Sequence, residues 1–218
     1  MALKLHFSPG ACSFVPHALL EMTGAAFEPQ IVKLAAGEQK TPEYLAINPM
    51  GKIPALVLDD GTVIPESDTI VEFLADAFPE SGLRPKGAEA MAKARLIARV
   101  TELYIGGPGS ALFGQMNPAT RHTETVDVTF AKLHDGFNYL NVFMSDDAFA
   151  VGDTITTADC ALVPILMFQG VFAMTFGKGD IIAPHTKVAA YWARVQSDPA
   201  AARVLGEMQA AMAARAAG

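Results

Sequence analysis

The sequence predicts a mixed α/β first domain followed by an all-helical second domain, on three observations. Strand and helix signals alternate in the N-terminal part, helical periodicity alone follows, and a Pro/Gly-rich stretch, Pro79-Glu80-Ser81-Gly82 to Pro85-Lys86-Gly87, separates the two. The expected boundaries are 1–80 for the first domain and 87–218 for the second.

Leu3–Phe7 reads as a strand, broken by Ser8-Pro9-Gly10. Ser13 to Met22 reads as a helix, with Val15, Leu19, Leu20 and Met22 on its apolar side and Gly24 as its stop. Phe27–Leu34 is strand-like, and Thr41-Pro42-Glu43 opens a short helix with Pro in the first turn. Ala55–Leu58 and Thr62–Ile64 flank Asp59-Asp60-Gly61, a hairpin signal. Ser67 is the expected N-cap of a helix running to about Phe78, with Asp68 favourable in its first turn. The order is therefore β-α-β-α-β-β-α. Beyond the linker, helical patterns cover about Ala88–Tyr104, Thr123–Met144, Thr156–Phe172, Thr186–Ser197 and Pro199–Ala214, and Gly106-Gly107-Pro108-Gly109 is expected to interrupt the first of them.

Composition narrows the function. The chain has 218 residues, 51% hydrophobic and 18% charged, with a net charge of −7. Phosphate binding needs basic patches, so nucleic acid is not an expected partner. Cys12 and Cys160 lie far apart, which suits a reducing compartment better than a disulfide framework. Cys160 to Gly177 carries no charge and reaches the length of a membrane span, but Pro164, Gln169 and Gly170 within it fit a buried central helix, so no membrane is expected. His6, His17, His122, His134 and His185 show no metal-ligand spacing, and no metal is expected.

Three segments carry chemistry. In Ser8-Pro9-Gly10-Ala11-Cys12-Ser13, a turn between strand and helix presents free N–H groups and a partial positive charge, which stabilise a thiolate of protein or ligand. Taken alone, Ser13 fits equally well as a helix cap and Cys12 as small packing. In Asn48-Pro49-Met50-Gly51-Lys52-Ile53-Pro54-Ala55-Leu56, a cis bond before Pro54 would turn the Ile53 backbone toward an open edge, where a peptide-like ligand pairs as an added strand. In Pro65-Glu66-Ser67-Asp68, a carboxylate before a helix start suits the doubly charged end of an α-amino acid.

Together and in this order, these segments resemble the glutathione transferase superfamily. SPGACS-x-x-PH, then INP-x-GKIPAL and ES, is most similar to its bacterial beta-class members. The second-domain signature is Gly152-Asp153-x-x-Thr156-x-Ala158-Asp159, in which Thr156 and Asp159 form a structural capping box. The resemblance covers essentially the whole chain.

It implies a thioredoxin-like first domain that binds glutathione and an all-helical second domain that shapes the pocket for the other substrate. It also implies a cytoplasmic homodimer acting in detoxification. By the same resemblance, Ile53 pairs its backbone with the cysteinyl part of glutathione next to a cis Pro54. Glu66 and Ser67 hold the γ-glutamyl end, Lys52 and Gln39 meet the glycine carboxylate, and Cys12 or Ser13 faces the sulfur. Phe14, Tyr104, Phe113 and Met116 are the expected walls of an apolar second-substrate pocket between the domains. One departure stands out: beta-class relatives often carry His-Lys after Glu-Leu in the first helix of the second domain, where this chain has Tyr104-Ile105.

The expected reaction is attack of the activated glutathione thiol on a hydrophobic electrophile, with no metal. The rivals are glutathione-dependent thiol transfer, reductive dehalogenation or ether cleavage through Cys12, and a non-catalytic binding module on the same fold.

Overall fold

In the computed structural model, residues 2–8, 16, 19–20 and 25–217 are described. The chain divides into two compact units, Met1–Arg84 with Ala202–Gly218, and Pro85–Ala201.

The first unit is built on a four-stranded sheet of order β2-β1-β3-β4. β1 (Leu3–Phe7) alternates Leu3, Leu5 and Phe7 into the core with Lys4 and His6 on the other face, the period-two pattern of a half-buried strand. It pairs in parallel with β2 (Phe27–Ile31) and antiparallel with β3 (Ala55–Val57), which in turn pairs antiparallel with β4 (Val63–Pro65). β2 stops at Ile31, short of the expected Leu34. Val32 N–H still reaches the Phe7 carbonyl at 2.8 Å, but β1 has run out of partners beyond it. The chain then makes two 3-10 turns, Leu34–Ala36 and Glu38–Lys40, before α1 (Pro42–Ile47), which Thr41 caps by accepting from Tyr44 N–H. As the edge strand, β2 tolerates Pro29, whose missing N–H costs no ladder bond on the open side.

The Asp59-Asp60-Gly61 turn closes the β3–β4 hairpin, with Gly61 at φ +84° and Thr62 N–H donating to Asp60 Oδ1 at 2.8 Å. α2 (Ser67–Ala77) follows β4 directly and buries Ile70, Val71, Leu74 and Ala75. Of the expected helix Ser13–Met22, Pro16, Leu19 and Leu20 are helical and buried, and its other residues lie outside the described ones. The β/α order and the all-helical remainder agree with the fold class read from the sequence.

The second unit corrects one expectation. Gly106-Gly107-Pro108-Gly109 does not interrupt the helix. α3 (Ala88–Thr101) continues into a π-helical turn (Glu102–Gly106), one α-turn (Gly107–Gly109) and a 3-10 stretch (Ser110–Gln115). The glycines act in packing: a Cβ at Gly106 would lie 2.8 Å from Ile165 Cδ1, and one at Gly109 would lie 2.7 Å from the Gln169 amide. Both neighbours belong to α5 (Thr157–Thr175), so small residues let the two helices approach closely where side chains would hold them apart. The same device recurs at Gly136 of α4 (Thr123–Phe143), which faces the Tyr104 carbonyl and Ile105.

α5 is long and apolar enough to cross a membrane by length and composition, but 72% of its most apolar window is buried within the protein, as in a core helix. Its start is set by Thr156 and Asp159. Thr156 N–H donates to Asp159 Oδ2 at 2.9 Å, Thr156 Oγ1 donates to the same oxygen at 3.0 Å, and Asp159 Oδ1 accepts from Ala150 N–H and Tyr191 O–H, each at 2.9 Å. Tyr191 lies on α6 (Thr186–Val195), and α7 (Pro199–Ala217) closes the chain.

Candidate functional site

The sheet register gathers the predicted segments. Ala55 is opposite both His6 and Pro65, so the end of β1, the start of β3 and the end of β4 meet at one end of the sheet. Residues before Ala55, namely Ile53 and Pro54, therefore lie beside Glu66 and Ser67, which follow Pro65. Segments separated in sequence become one rim. Cys12, Ser13 and Phe14 lie outside the described residues.

Ile53-Pro54 is a cis peptide bond. Pro54 is buried and Ile53 half-buried, and among the described residues the Ile53 backbone has no hydrogen-bond partner. The loop behind it is pinned. The Lys52 carbonyl accepts from Tyr44 O–H at 2.6 Å and from Asn48 Nδ2 at 2.8 Å, while Asn48 Oδ1 accepts from Met50 N–H at 3.1 Å. Burial pushes the Tyr44 phenol above its ordinary pKa, so it stays protonated and remains a donor. Two groups thus hold the Lys52 carbonyl from the protein side and leave the N–H of the same peptide unit, on Ile53, and the Ile53 carbonyl unpaired among the described residues.

Gly51 brings a second loop to this rim. It sits at φ +58°, and a Cβ there would lie 2.7 Å from Lys40 Nζ and 3.0 Å from the Gln39 carbonyl. The turn Glu38–Lys40 is therefore packed on Gly51, which precedes Lys52 in the chain. Gln39 Oε1 is buried with no hydrogen-bond partner among the described residues. Lys40 was not among the expected site residues, since only tertiary packing on Gly51 places its ammonium here. Gly51→Ala meets both a left-handed backbone and a fixed carbonyl, so it is expected to lose about 1–3 kcal/mol of stability. It should also raise the KM for the ligand held at this rim with little change in kcat, which initial-rate kinetics and thermal melts would check.

Glu66 is the only non-glycine residue with positive φ among the described residues, at φ +68° and ψ 129°. It, and not Ser67, is the N-cap of α2. β4 passes into the helix through a single residue, which forces that residue into the strained conformation and makes Ser67 the first helical position. The exposed Glu66 side chain makes no capping hydrogen bond, so its carboxylate is not consumed by the helix it precedes. The first-turn N–H groups and the partial positive charge of α2 lie next to it.

The second unit holds the other expected residues. Tyr104 lies in the π-helical turn, 47% exposed, with its ring edge-on to Tyr139 at 5.2 Å. Phe113 is 49% exposed and packs edge-on against Phe172 at 4.9 Å and Phe168 at 5.8 Å; Met116, 40% exposed, follows in the same stretch. Phe113 thus rests on a base of buried Phe168 and Phe172, whereas Tyr104 rests on the exposed Tyr139. Two contacts escaped the sequence reading: Tyr104 with Tyr139, and His134 with His185, whose ring nitrogens are 3.2 Å apart. Burial and the neighbouring His134 hold His185 below the usual histidine range.

A small mixed sheet with a cis-proline before β3 in one unit, and helices alone in the other, place the chain in a two-part α/β plus all-α class. The family models for the N-terminal domain and the C-terminal domain of glutathione S-transferases match residues 10–77 and 109–199. The chain belongs to the glutathione S-transferase family, and it is a transferase that uses glutathione as a substrate. It is 31% identical over 169 residues to glutathione S-transferase GstA of Escherichia coli O157:H7, covering 75% of this chain and 81% of that protein. It is 32% identical over 166 residues to a zeta-class glutathione S-transferase of Euphorbia esula, covering 74% and 73%. The crystal structure of a glutathione transferase from Methylococcus capsulatus superposes with a TM-score of 0.77 at 29% identity, over 95% of this chain and 99% of that one.

Proposed function

We propose that glutathione lies along the rim as an added strand, its cysteinyl amide paired with the Ile53 backbone. The observation that carries this reading is the unpaired Ile53 peptide beside Pro54, braced from behind by Tyr44 and Asn48. Glu66 takes the α-ammonium of the γ-glutamyl end, and the Ser67 hydroxyl and the N–H groups of the first turn of α2 take its carboxylate. Lys52 and Lys40 supply positive charge for the glycine carboxylate, and the Gln39 amide donates to it; Lys40 Nζ and the Gln39 backbone carbonyl both border Gly51.

Cys12 or Ser13 faces the sulfur. A thiol of pKa about 8.5 is only a few per cent ionised at pH 7. Lowering it by roughly two units needs about 2.7 kcal/mol of preferential thiolate stabilisation. One donor from Cys12 or Ser13 together with a helix N-terminus supplies that order of energy. The thiolate then attacks a hydrophobic electrophile met by Tyr104, Phe113 and Met116, forming a sulfur–carbon bond as the electrophile's leaving group departs or its activated double bond takes up the electron pair and a proton. No metal enters this scheme.

Separate replacement tests the assignment. Ser13→Ala is expected to abolish conjugation while sparing disulfide reduction if the hydroxyl activates the thiol. Loss of disulfide reduction only in Cys12→Ala would instead support glutathione-dependent redox chemistry, such as thiol transfer, through a mixed disulfide at Cys12. We further propose a cytoplasmic detoxification enzyme of beta-class type that pairs as a homodimer. Leu96, Leu103, Val142 and Phe143 are exposed apolar side chains available to a second copy. Sedimentation at the mass of a single chain would contradict the pairing.

A further inference from the structure

Apart from the glutathione rim, the second unit carries a cleft of about 300 Å³ lined by Gly170, Ala173 and Met174 of α5, the loop Gly179–Ile182, and Trp192 of α6. That volume is at the low end for small-molecule sites, which run from roughly 300 to 1,000 Å³. Its walls are apolar: Ala173, Ile181 and Ile182 are buried, whereas Met174 is 83% exposed at the rim. Asp180 is the only charged residue among the lining groups. Its Oδ1 is fixed by Ile182 N–H at 2.9 Å and Ala183 N–H at 3.0 Å, and its Oδ2 has no partner among the described residues. The nearby ammonium of Lys178 is engaged elsewhere, 2.5 Å from Asp127 Oδ1 and 5.7 Å from the Phe130 ring centre.

Three features of this cleft favour positive charge. The α5 dipole presents its negative end there, the Asp180 carboxylate stands at the mouth, and the Trp192 indole offers the best side-chain face for a cation. Glycines at 170 and 179 leave room beside them, since a Cβ built at either meets nothing within 4 Å. We propose that this cleft binds a small organic ammonium ion with an aromatic or alkyl body, independently of the glutathione site. The ammonium group sits between Asp180 and Trp192, and the body lies on Ala173, Met174 and Ile182.

Trp192 is the single tryptophan of the chain, so its fluorescence reports this cleft directly. Benzyltrimethylammonium titrated into the full chain is expected to give a saturable change, and neutral benzyl alcohol a binding about tenfold weaker. Asp180→Asn keeps an oxygen for the two backbone donors and removes the charge, so it should weaken the cation about tenfold and leave benzyl alcohol unchanged. Met174→Lys, at an exposed position, should weaken the cation in the same way and stands in if the first variant fails to fold. Glutathione conjugation should be unaltered in both, because neither residue belongs to the catalytic site. Equal affinity for the cation and the alcohol, full cation affinity in a folded variant, or a change that never saturates would each overturn the proposal.

Discussion

Asp159→Ala is expected to lower the melting temperature of the chain by about 8–16 °C, the largest stability effect of any single side chain considered. The carboxylate accepts four hydrogen bonds in a nearly dry site, two from backbone N–H groups and two from the hydroxyls of Thr156 and Tyr191. Alanine leaves Ala150 N–H, Thr156 N–H and Tyr191 O–H buried without partners, at about 1–3 kcal/mol each, so a total near 4 kcal/mol is expected. Tyr191→Phe removes only one donor and keeps the ring, so about 1 kcal/mol should be lost. If the two variants melted together, the carboxylate would not be the hub of this junction.

The sign of its pH dependence follows from burial. Burial raises the Asp159 carboxyl above its ordinary 3.8, and the four donors oppose that rise without cancelling it. A raised value means that the folded chain holds the proton more tightly than the unfolded one. The stability this group contributes is therefore fully present below the unfolded value and declines as pH rises through the folded one. Asp159→Asn, which cannot titrate, should lack that slope in melts taken across the acidic range.

The second large effect is functional. Glu66→Ala is expected to weaken glutathione binding by about 10–100-fold, the loss of one charge-assisted contact to the α-ammonium. Glu66→Gly separates charge from strain. Glycine at φ +68° relieves a backbone cost of about 1–3 kcal/mol, so its melting temperature should be no lower than that of the parent, while affinity falls as in the alanine variant. Stability and affinity moving in opposite directions is the mark of strain kept for binding. A Glu66→Gly protein that bound glutathione normally would show that the carboxylate does not touch it.

Local chemistry made much of this legible in the sequence. Asp59-Asp60-Gly61 located the hairpin, Thr156-x-x-Asp159 located the start of α5, and the X-Pro step at Ile53-Pro54 pointed to the open edge, because each signal is complete within a few residues. What escaped depends on distant neighbours. Tyr191 completes the Asp159 junction from another helix, and Lys40 reaches the rim only through packing on Gly51. Gly106–Gly109 read as a helix break because glycine has poor intrinsic propensity, yet close approach of Ile165 and Gln169 outweighs that cost of about 1 kcal/mol per residue. Ser67 read as a cap because serine favours that position, whereas the direct step from β4 puts Glu66 there.

The central claim is that a tripeptide thiol extends the sheet at the peptide unit before Pro54. Amide resonances followed by NMR while glutathione is titrated to saturation test it most directly. The largest perturbations should fall on Ile53, Ser67 and Asp68, with the Ile53 N–H becoming protected from exchange. Saturation that left Ile53 unshifted and still exchanging freely would contradict it.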